Sequence, residues 1–88
     1  MMVTREWLDA GINVALGSDT PTSPWHKPQV TLFGAVTRLG ADERPFLPEQ
    51  AMTIQEALYG HTMRSIRAAF EEEVKGSLEP GKYADLVV

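Results

Sequence analysis

The chain has 88 residues, which is short for one domain and too short for two. Twelve acidic against eight basic side chains give a net charge of −4, so we expect neither nucleic acid nor an anionic membrane surface as a partner. No apolar stretch approaches the roughly 18 residues of a membrane-spanning helix. The absence of cysteine excludes disulfides and thiolate metal sites, and it is typical of a cytoplasmic protein.

The first part of the chain has the pattern of one helix–strand step. Residues 3–10 predict a helix whose end is marked by Gly11. The apolar run at residues 12–16 predicts a strand that is buried on both faces, as in a parallel sheet. A polar turn at residues 17–19 follows it. This order of helix, glycine turn, buried strand and polar loop predicts an α/β fold.

Helices are predicted for most of the middle of the chain. Three prolines, at positions 21, 24 and 28, exclude regular structure at residues 20–27. A helix is then expected at residues 29–39, and a polar loop follows it. Thr53 and Glu56 have the spacing of a capping box, in which Thr53 is the N-cap of a further helix.

The last third of the chain combines helix and turn signals with a final strand. We expect Gly60 to break or bend the helix that Thr53 opens, and a second helical stretch to cover residues 63–72. The Pro-Gly pair at residues 80–81 predicts a type II turn, and residues 84–88 indicate the start of a strand. No parallel partner for residues 12–16 is recognisable, so we expect the chain to be a piece of a longer α/β protein.

Asp19 is the first candidate for a functional residue. It directly follows the predicted buried strand, and ligands of α/β folds collect at the carboxyl ends of the strands. A carboxylate there can bind a divalent metal and accept a proton from water. The alternative interpretation is that Asp19 caps a turn, with its side chain bonded to the backbone of Thr20 or beyond.

The two histidines are weaker candidates. His26 follows Trp25 in a loop between prolines, where both could contact a substrate, although a loop histidine is more often a surface residue. His61 is expected to be a packed or capping residue near the helix end. No HxH or HExxH pattern occurs, so these residues alone do not predict a complete metal site.

Four segments together resemble the metal-dependent amidohydrolases. Residues 8–19, Leu-Asp-Ala-Gly-Ile-Asn-Val-Ala-Leu-Gly-Ser-Asp, resemble the last helix–strand step of that barrel. Residues 76–88, Gly-Ser-Leu-Glu-Pro-Gly-Lys-Tyr-Ala-Asp-Leu-Val-Val, are similar to the superfamily's C-terminal signature. Residues 35–38 and 52–58 resemble the amidohydrolase 3 group in particular. The segment at residues 62–66, Thr-Met-Arg-Ser-Ile, departs from that group's common Thr-x-Asn-Ala-Ala.

The resemblance implies a fold. Residues 1–75 would be the end of a TIM-type (β/α)₈ barrel, with strand 8 and the final, mostly helical segments. Residues 76–88 would be the return strand to a small β-sandwich. In that strand, Ala84, Leu86 and Val88 would alternate inward, and Lys82 would be exposed.

The resemblance also implies a chemistry. The full enzymes hold one or two divalent metals, often zinc, and the carboxylate after strand 8 is a metal ligand or near-ligand and the general base toward the attacking water. That role falls on Asp19 and on no other residue of this chain. The remaining ligands, an HxH pair, a lysine or glutamate and two more histidines, come from earlier strands and are absent here.

The chain is therefore expected to be the C-terminal fragment of a metal-dependent hydrolase that cleaves a non-peptide carbon–nitrogen bond of a small amide-type substrate. Trp25 and His26 are candidates for substrate contact, and the isolated chain is expected to be inactive. Two alternatives remain: a non-catalytic remnant that self-associates through exposed apolar faces, and a small interaction module.

Overall fold

A computed structural model describes residues 2–22 and 26–88. All regular structure in these ranges is helical, apart from one isolated antiparallel bridge between Leu39 and Pro45. The elements in chain order are α1 (Thr4–Asp9), α2 (Pro28–Thr37), a 3₁₀ turn (Pro48–Gln50), α3 (Ile54–His61) and α4 (Met63–Ala68). Helix α3 packs against α2 and α4, while α1 packs against the 3₁₀ turn. None of these helices has the length and apolarity that crossing a membrane requires.

Helix α1 ends as the sequence predicts. Gly11 has a φ of 77°, the left-handed conformation that glycine adopts without strain. Its N–H donates to the carbonyl of Leu8 at 2.9 Å, and the N–H of Ile12 donates to the carbonyl of Trp7 at 2.9 Å. This pair of bonds is a Schellman motif, and it turns the chain directly into residues 12–16.

Helix α1 begins with a cap that comes from a distant part of the chain. Its N-cap residue, Val3, offers no side-chain hydrogen bond. Gln50 Oε1 instead accepts from the backbone N–H groups of Arg5 at 3.0 Å and Glu6 at 3.3 Å. Thr4 Oγ1 donates to the carbonyl of Gln50 at 2.6 Å, and both Thr4 and Gln50 are buried. The 3₁₀ turn therefore satisfies the free donors of the α1 N-terminus.

The capping box of helix α3 is confirmed. Thr53 Oγ1 accepts from the N–H of Glu56 at 3.1 Å, and Glu56 Oε2 accepts from the N–H of Thr53 at 2.8 Å. The expected break is displaced by two residues, because the helix continues through Gly60 and ends at His61. The interruption lies at Thr62, whose φ of −114° and ψ of −96° are not helical.

Helix α4 is shorter than the predicted 63–72, since it ends at Ala68. Phe70 adopts a φ of 60°. Its N–H donates to the carbonyl of Arg67 at 3.1 Å, and the N–H of Glu71 donates to the carbonyl of Ile66 at 3.2 Å. This is a second Schellman motif with phenylalanine in the position that usually holds glycine. No residue type at this point signals the end of the helix.

The predicted strand at residues 12–16 is wrong for the part of the chain that the structure describes. A strand needs a neighbour with which it exchanges backbone hydrogen bonds, and no extended segment in the described ranges pairs with these residues. Leu16 N–H donates to the carbonyl of Gly60 at 3.1 Å instead. The segment lies across the helices as irregular backbone. Of the predicted α/β fold, the described residues therefore form the helices but not the strands.

The C-terminal segment forms the predicted turn but no strand. Gly81 has a φ of 93°, and the N–H of Lys82 donates to the carbonyl of Glu79 at 3.1 Å, which confirms the turn at residues 80–81. The predicted start of a strand at residues 84–88 is wrong for the described ranges, where no facing strand lies. Ala84, Leu86 and Val88 are all exposed there, and their inward alternation in a β-sandwich stays a prediction.

The prediction of an exposed Lys82 is also wrong. Its side chain is 15% exposed, because Nζ folds back onto the turn. It donates to Ser77 Oγ at 3.1 Å and lies 3.2 Å from Glu79 Oε2. The lysine therefore closes the turn that precedes residues 84–88.

The core of the described residues is small. Val14, Met52 and Ala57 are its buried apolar side chains. Met52 is tied to α2 by a bond from its N–H to the carbonyl of Ala35 at 2.9 Å. Several large apolar side chains stay on the surface, among them Phe70, which is 90% exposed. The segment at residues 12–16 therefore contributes a buried side chain to the centre of the structure, and it leads from that centre to Asp19.

Candidate functional site

Asp19 lies in an exposed turn immediately after the segment at residues 12–18. Its backbone has a φ of 56°, which is uncommon for a residue other than glycine. The backbone carbonyl of Asp19 accepts a hydrogen bond from the Thr22 hydroxyl, and the hydroxyls of Ser18 and Thr20 lie 2.9 Å apart. Hydroxyl groups on both sides therefore hold the turn in shape.

The carboxylate of Asp19 forms no hydrogen bond to any residue in the described ranges. The turn-capping interpretation requires the carboxylate to accept such a bond from a backbone N–H of Thr20 or beyond, and none occurs within residues 2–22 and 26–88. The backbone carbonyl, rather than the side chain, makes the contact that closes this turn. The carboxylate is thus exposed to solvent, where it can meet a ligand or a substrate.

The segment that leads to Asp19 is held on the α3–α4 junction, by which we mean residues 60–65. Leu16 N–H donates to the carbonyl of Gly60 at 3.1 Å. Asn13 Nδ2 donates to the carbonyl of Arg64 at 2.9 Å, and Ser65 Oγ donates to the carbonyl of Leu16 at 3.3 Å. These bonds connect the position of Asp19 to a pair of helices about 50 residues later in the chain.

The described residues do not by themselves form a metal site. Within residues 2–22 and 26–88, no group of three or more histidine, cysteine, aspartate or glutamate side chains could hold a metal ion. A catalytic zinc needs three protein ligands, and this part of the chain offers one candidate, Asp19. The donor set of the described residues therefore does not fit a complete centre.

The two histidines differ in their surroundings. His26 is exposed at the start of the segment that leads into α2, and Trp25 lies outside the described residues. His61 is half-buried at the end of α3, and its Nε2 lies 2.9 Å from Thr31 Oγ1. Burial lowers the pKa of His61, which favours the neutral ring. The expectation of a packed His61 is confirmed.

Two open cavities lie in other parts of the described structure. One of about 410 Å³ is lined by α2 and the loop that follows it, with Val30, Phe33 and Leu39 among its residues. The other, of about 390 Å³, is lined by His61, Asp85 and neighbouring residues. Asp19 lines neither of them.

A polar network that sequence reasoning missed joins α1 to the start of α3. Arg5 forms a bidentate pair with Glu56, with Nη1 and Nη2 at 2.9 and 2.6 Å from the two carboxylate oxygens. Arg5 Nη2 also donates to the carbonyl of Ala51 at 3.0 Å. The hydrogen bond from Arg5, followed by that from Thr53, lowers the pKa of Glu56 from 4.5 to about 2. Glu56 therefore serves the capping box and the ion pair together.

The junction also contains one polar group without a partner. Arg64 Nη1 is buried and has no hydrogen-bond partner among the described residues. The guanidinium carbon lies 5.6 Å from the centre of the Tyr59 ring, within the range of a cation–π contact. Arg64 is one of the positions at which this chain departs from the Thr-x-Asn-Ala-Ala pattern.

Comparison with known proteins identifies relatives over nearly the whole chain. The chain is 37% identical over 84 residues to N-substituted formamide deformylase from Arthrobacter pascens, a match that covers 96% of this chain and 15% of the relative. It is 36% identical over 84 residues to imidazolonepropionase from Porphyromonas gingivalis, with coverage of 96% and 18%. It is 34% identical over 82 residues to protein LONG AFTER FAR-RED 3 from Arabidopsis thaliana, with coverage of 92% and 14%.

These relatives are much longer than the chain, which spans less than a fifth of the length of each. No solved structure matches the chain significantly. The sequence model of the amidohydrolase family matches residues 3–88, which include Asp19, the α3–α4 junction and the turn at residues 80–81. The resemblance seen in the sequence is thereby confirmed, and the chain belongs to the amidohydrolase family.

Proposed function

We propose that this chain is the C-terminal part of a metal-dependent hydrolase that cleaves a non-peptide carbon–nitrogen bond in a small amide-type substrate. Under this proposal, residues 1–75 complete a (β/α)₈ barrel and residues 76–88 return to a small β-sandwich. The family match over residues 3–88 is the observation that carries the proposal. The deformylase relative supports the reaction class, because removing a formyl group from an N-substituted formamide breaks a carbon–nitrogen bond.

Asp19 is the residue of this chain that we assign to the chemistry. A carboxylate that meets the attacking water can take its proton as the water adds to the carbonyl carbon. Asp19 is exposed, and its carboxylate accepts no hydrogen bond within the described ranges, so the carboxylate is available for this role. A divalent metal, zinc in our proposal, would supply Lewis-acid activation. Asp19 would be one of its ligands, and the others would come from outside these 88 residues.

The loop that follows Asp19 is proposed to form part of the substrate pocket. His26 is exposed and lies seven positions after Asp19, and Trp25 precedes it in the sequence. An aromatic and an imidazole side chain would together offer an apolar surface and a hydrogen-bonding group to an amide substrate.

The proposal is tested on the full-length enzyme in which this segment would occur. The purified protein is analysed for bound metal and assayed with N-substituted formamides, other N-acyl amines and cyclic amides. We expect turnover that is lost on chelation and regained with zinc. Absence of carbon–nitrogen hydrolysis by the metal-loaded protein would contradict the proposal.

The isolated 88-residue chain is the matched control for this assay. We expect it to show no turnover, because catalytic zinc uses three protein ligands and the described residues contain no such group. Metal-dependent turnover above a no-protein control would show that this part of the reasoning is wrong.

A non-catalytic interaction module is the second candidate function. Its support is the exposure of large apolar side chains such as Ile12, Phe33 and Phe46, each more than half exposed. Apolar surface of this kind favours association with another copy or another chain. Concentration-dependent self-association of the 88-residue chain in sedimentation experiments, together with inactivity of the full-length protein, would favour this function over catalysis.

A further inference from the structure

The interruption between α3 and α4 leaves a backbone group free for the segment that leads to Asp19. In a continuous helix, the carbonyl of Gly60 would accept from the N–H four residues later. The helix is interrupted at Thr62, where ψ is −96°. The carbonyl of Gly60 instead accepts from the N–H of Leu16 at 3.1 Å and from Ser65 Oγ at 2.6 Å. The break at Thr62 therefore leaves the carbonyl of Gly60 free to accept from Leu16 and Ser65, which a regular helix would not allow.

Gly60 also allows the segment to come close to the helix. A Cβ atom at Gly60 would lie 3.0 Å from both Cγ and Cδ1 of Leu16, and 3.4 Å from the carbonyl oxygen of Val14. Gly60 itself is buried, and so is Val14. The need for glycine is one of space, because Gly60 is not among the residues with a positive φ. The absent side chain makes room for the Leu16 side chain and the Val14 carbonyl.

Ser65 fixes this contact from the α4 side. Its one O–H is shared between the carbonyl oxygen of Gly60 at 2.6 Å and that of Leu16 at 3.3 Å. One side chain thus connects the last turn of α3, the first turn of α4 and the end of the segment at residues 12–16. Ser65 stands in the stretch that departs from the Thr-x-Asn-Ala-Ala pattern, at a position where that pattern has alanine.

Leu16 and Asp19 are only three positions apart in the chain. An extended chain of that length spans roughly 10 Å, so a tie at Leu16 limits the volume that Asp19 can sample. Misplacement of a reacting group by about 1 Å can cost on the order of 100-fold in rate. A bond at Leu16 is close enough in the chain to influence that placement.

We propose that Ser65 is a positioning residue, which holds the segment at residues 12–16 on the α3–α4 junction and so sets the position of the Asp19 carboxylate. The inference rests on the proposed function of Asp19. Ser65 would touch neither substrate nor metal, and it would act on the position of Asp19 through its contacts with Leu16 and Gly60.

The first test uses the 88-residue chain and needs no activity. Amide hydrogen exchange at Leu16 is measured by NMR in wild type, Ser65→Ala and Ser65→Thr. Ser65→Ala should speed exchange at Leu16 by roughly 2- to 10-fold, the range expected for one net hydrogen bond, while Ser65→Thr keeps the hydroxyl and should stay near wild type. Thr37→Val is the control, since the Thr37 hydroxyl bonds the carbonyl of Phe33 within its own helix. It should leave Leu16 unchanged.

The second test uses the full-length enzyme and measures kcat and KM separately. Ser65→Ala should lower kcat by about 10-fold with KM unchanged, since it disturbs a position and not a binding contact. In an Asp19→Asn background the same change should have no further effect. A Ser65→Ala variant with wild-type exchange at Leu16 and wild-type kcat overturns the inference. So does an equal loss of kcat with and without the Asp19 carboxylate, which indicates a purely structural role.

Different results would contradict the proposed function of Asp19 and the positioning role of Ser65. If Asp19→Asn retains wild-type kcat, the proposed function of Asp19 is wrong, and the positioning role of Ser65 falls with it. If Asp19→Asn is inactive while Ser65→Ala is unchanged in both measurements, the proposed function stands and only the positioning inference is wrong.

Discussion

Gln50→Ala removes the distant cap of helix α1, and the structure allows its effect to be worked out. Gln50 Oε1 accepts from the N–H groups of Arg5 and Glu6, and Gln50 is 5% exposed. Loss of a helix N-cap costs about 0.5–2 kcal/mol, and a donor left buried without a partner costs about 1–3 kcal/mol. Because water reaches part of this helix end once the side chain is gone, we expect a loss of about 2 kcal/mol.

The assay is urea unfolding followed by helical circular dichroism, together with a thermal melt. A loss of about 2 kcal/mol corresponds to a fall in Tm of roughly 8–16 °C for a domain of this size. Glu49→Ala is the matched control, because Glu49 is the exposed neighbour in the same 3₁₀ turn. A Gln50→Ala variant that is no less stable than Glu49→Ala would refute the reasoning.

A second pair of variants separates the capping bonds from the amide contact. Gln50→Glu keeps an acceptor for both N–H groups but replaces Nε2, which donates to Glu6 Oε1 at 3.1 Å. Two carboxylates would then face each other, so this variant should be less stable than wild type. Adding Glu6→Gln should restore most of the loss. Failure of the second change to restore stability would show that the contact with Glu6 is not the cause.

Two further predictions concern the ion pair and the final turn. The pKa of Glu56 is lowered from 4.5 to about 2, so the ionised group contributes stability above about pH 4.5 that is lost as the pH falls towards 2. Glu56→Gln retains a capping-box acceptor but loses the contribution of the ionised group. The difference in unfolding free energy between wild type and variant should therefore shrink from pH 5 to pH 2. A difference that stays constant over this range would contradict the prediction. Gly81→Ala should lower the free energy of unfolding by about 1 kcal/mol, because alanine is strained at a φ of 93°. Gly17→Ala is the control, since an added Cβ there would meet nothing within 4 Å. It should lower the free energy of unfolding by less in the same urea titration.

The features that the sequence predicted are those encoded by neighbouring residues. Gly11 ends α1, Thr53 and Glu56 form the capping box, and the turn at residues 80–81 closes as expected. Each depends on contacts within about five positions along the chain, so residue type and spacing carry the whole signal.

The features that could not be predicted depend on distant contacts. The Arg5–Glu56 pair joins residues 51 positions apart, and the cap from Gln50 crosses 45 positions. No spacing rule connects such residues. The strand at residues 12–16 was predicted from apolarity alone, but a strand also needs a partner. Phe70 ends α4 with a φ of 60°, which its residue type does not signal.

In the candidate site, too, the residue that was predicted depends on a local pattern, and the residues that were missed depend on distant contacts. Asp19 was singled out because a polar residue follows an apolar run, and that signal is local. The roles of Gly60 and Ser65 beneath the segment come from contacts 44 to 49 positions away in the chain. The resemblance to the amidohydrolases pointed to the carboxylate, and only the structure showed that the junction contacts the segment at residues 12–16, which leads to Asp19.

The most direct test of the account is kcat and bound metal for Asp19→Asn in the full-length enzyme. Asparagine has nearly the shape of aspartate but cannot hold the proton, and general-base catalysis contributes typically about 10²–10⁴-fold. We expect a fall in kcat of at least that order and reduced metal content, with an unchanged circular dichroism spectrum. A folded variant with kcat near wild type would contradict the account and remove Asp19 from the site.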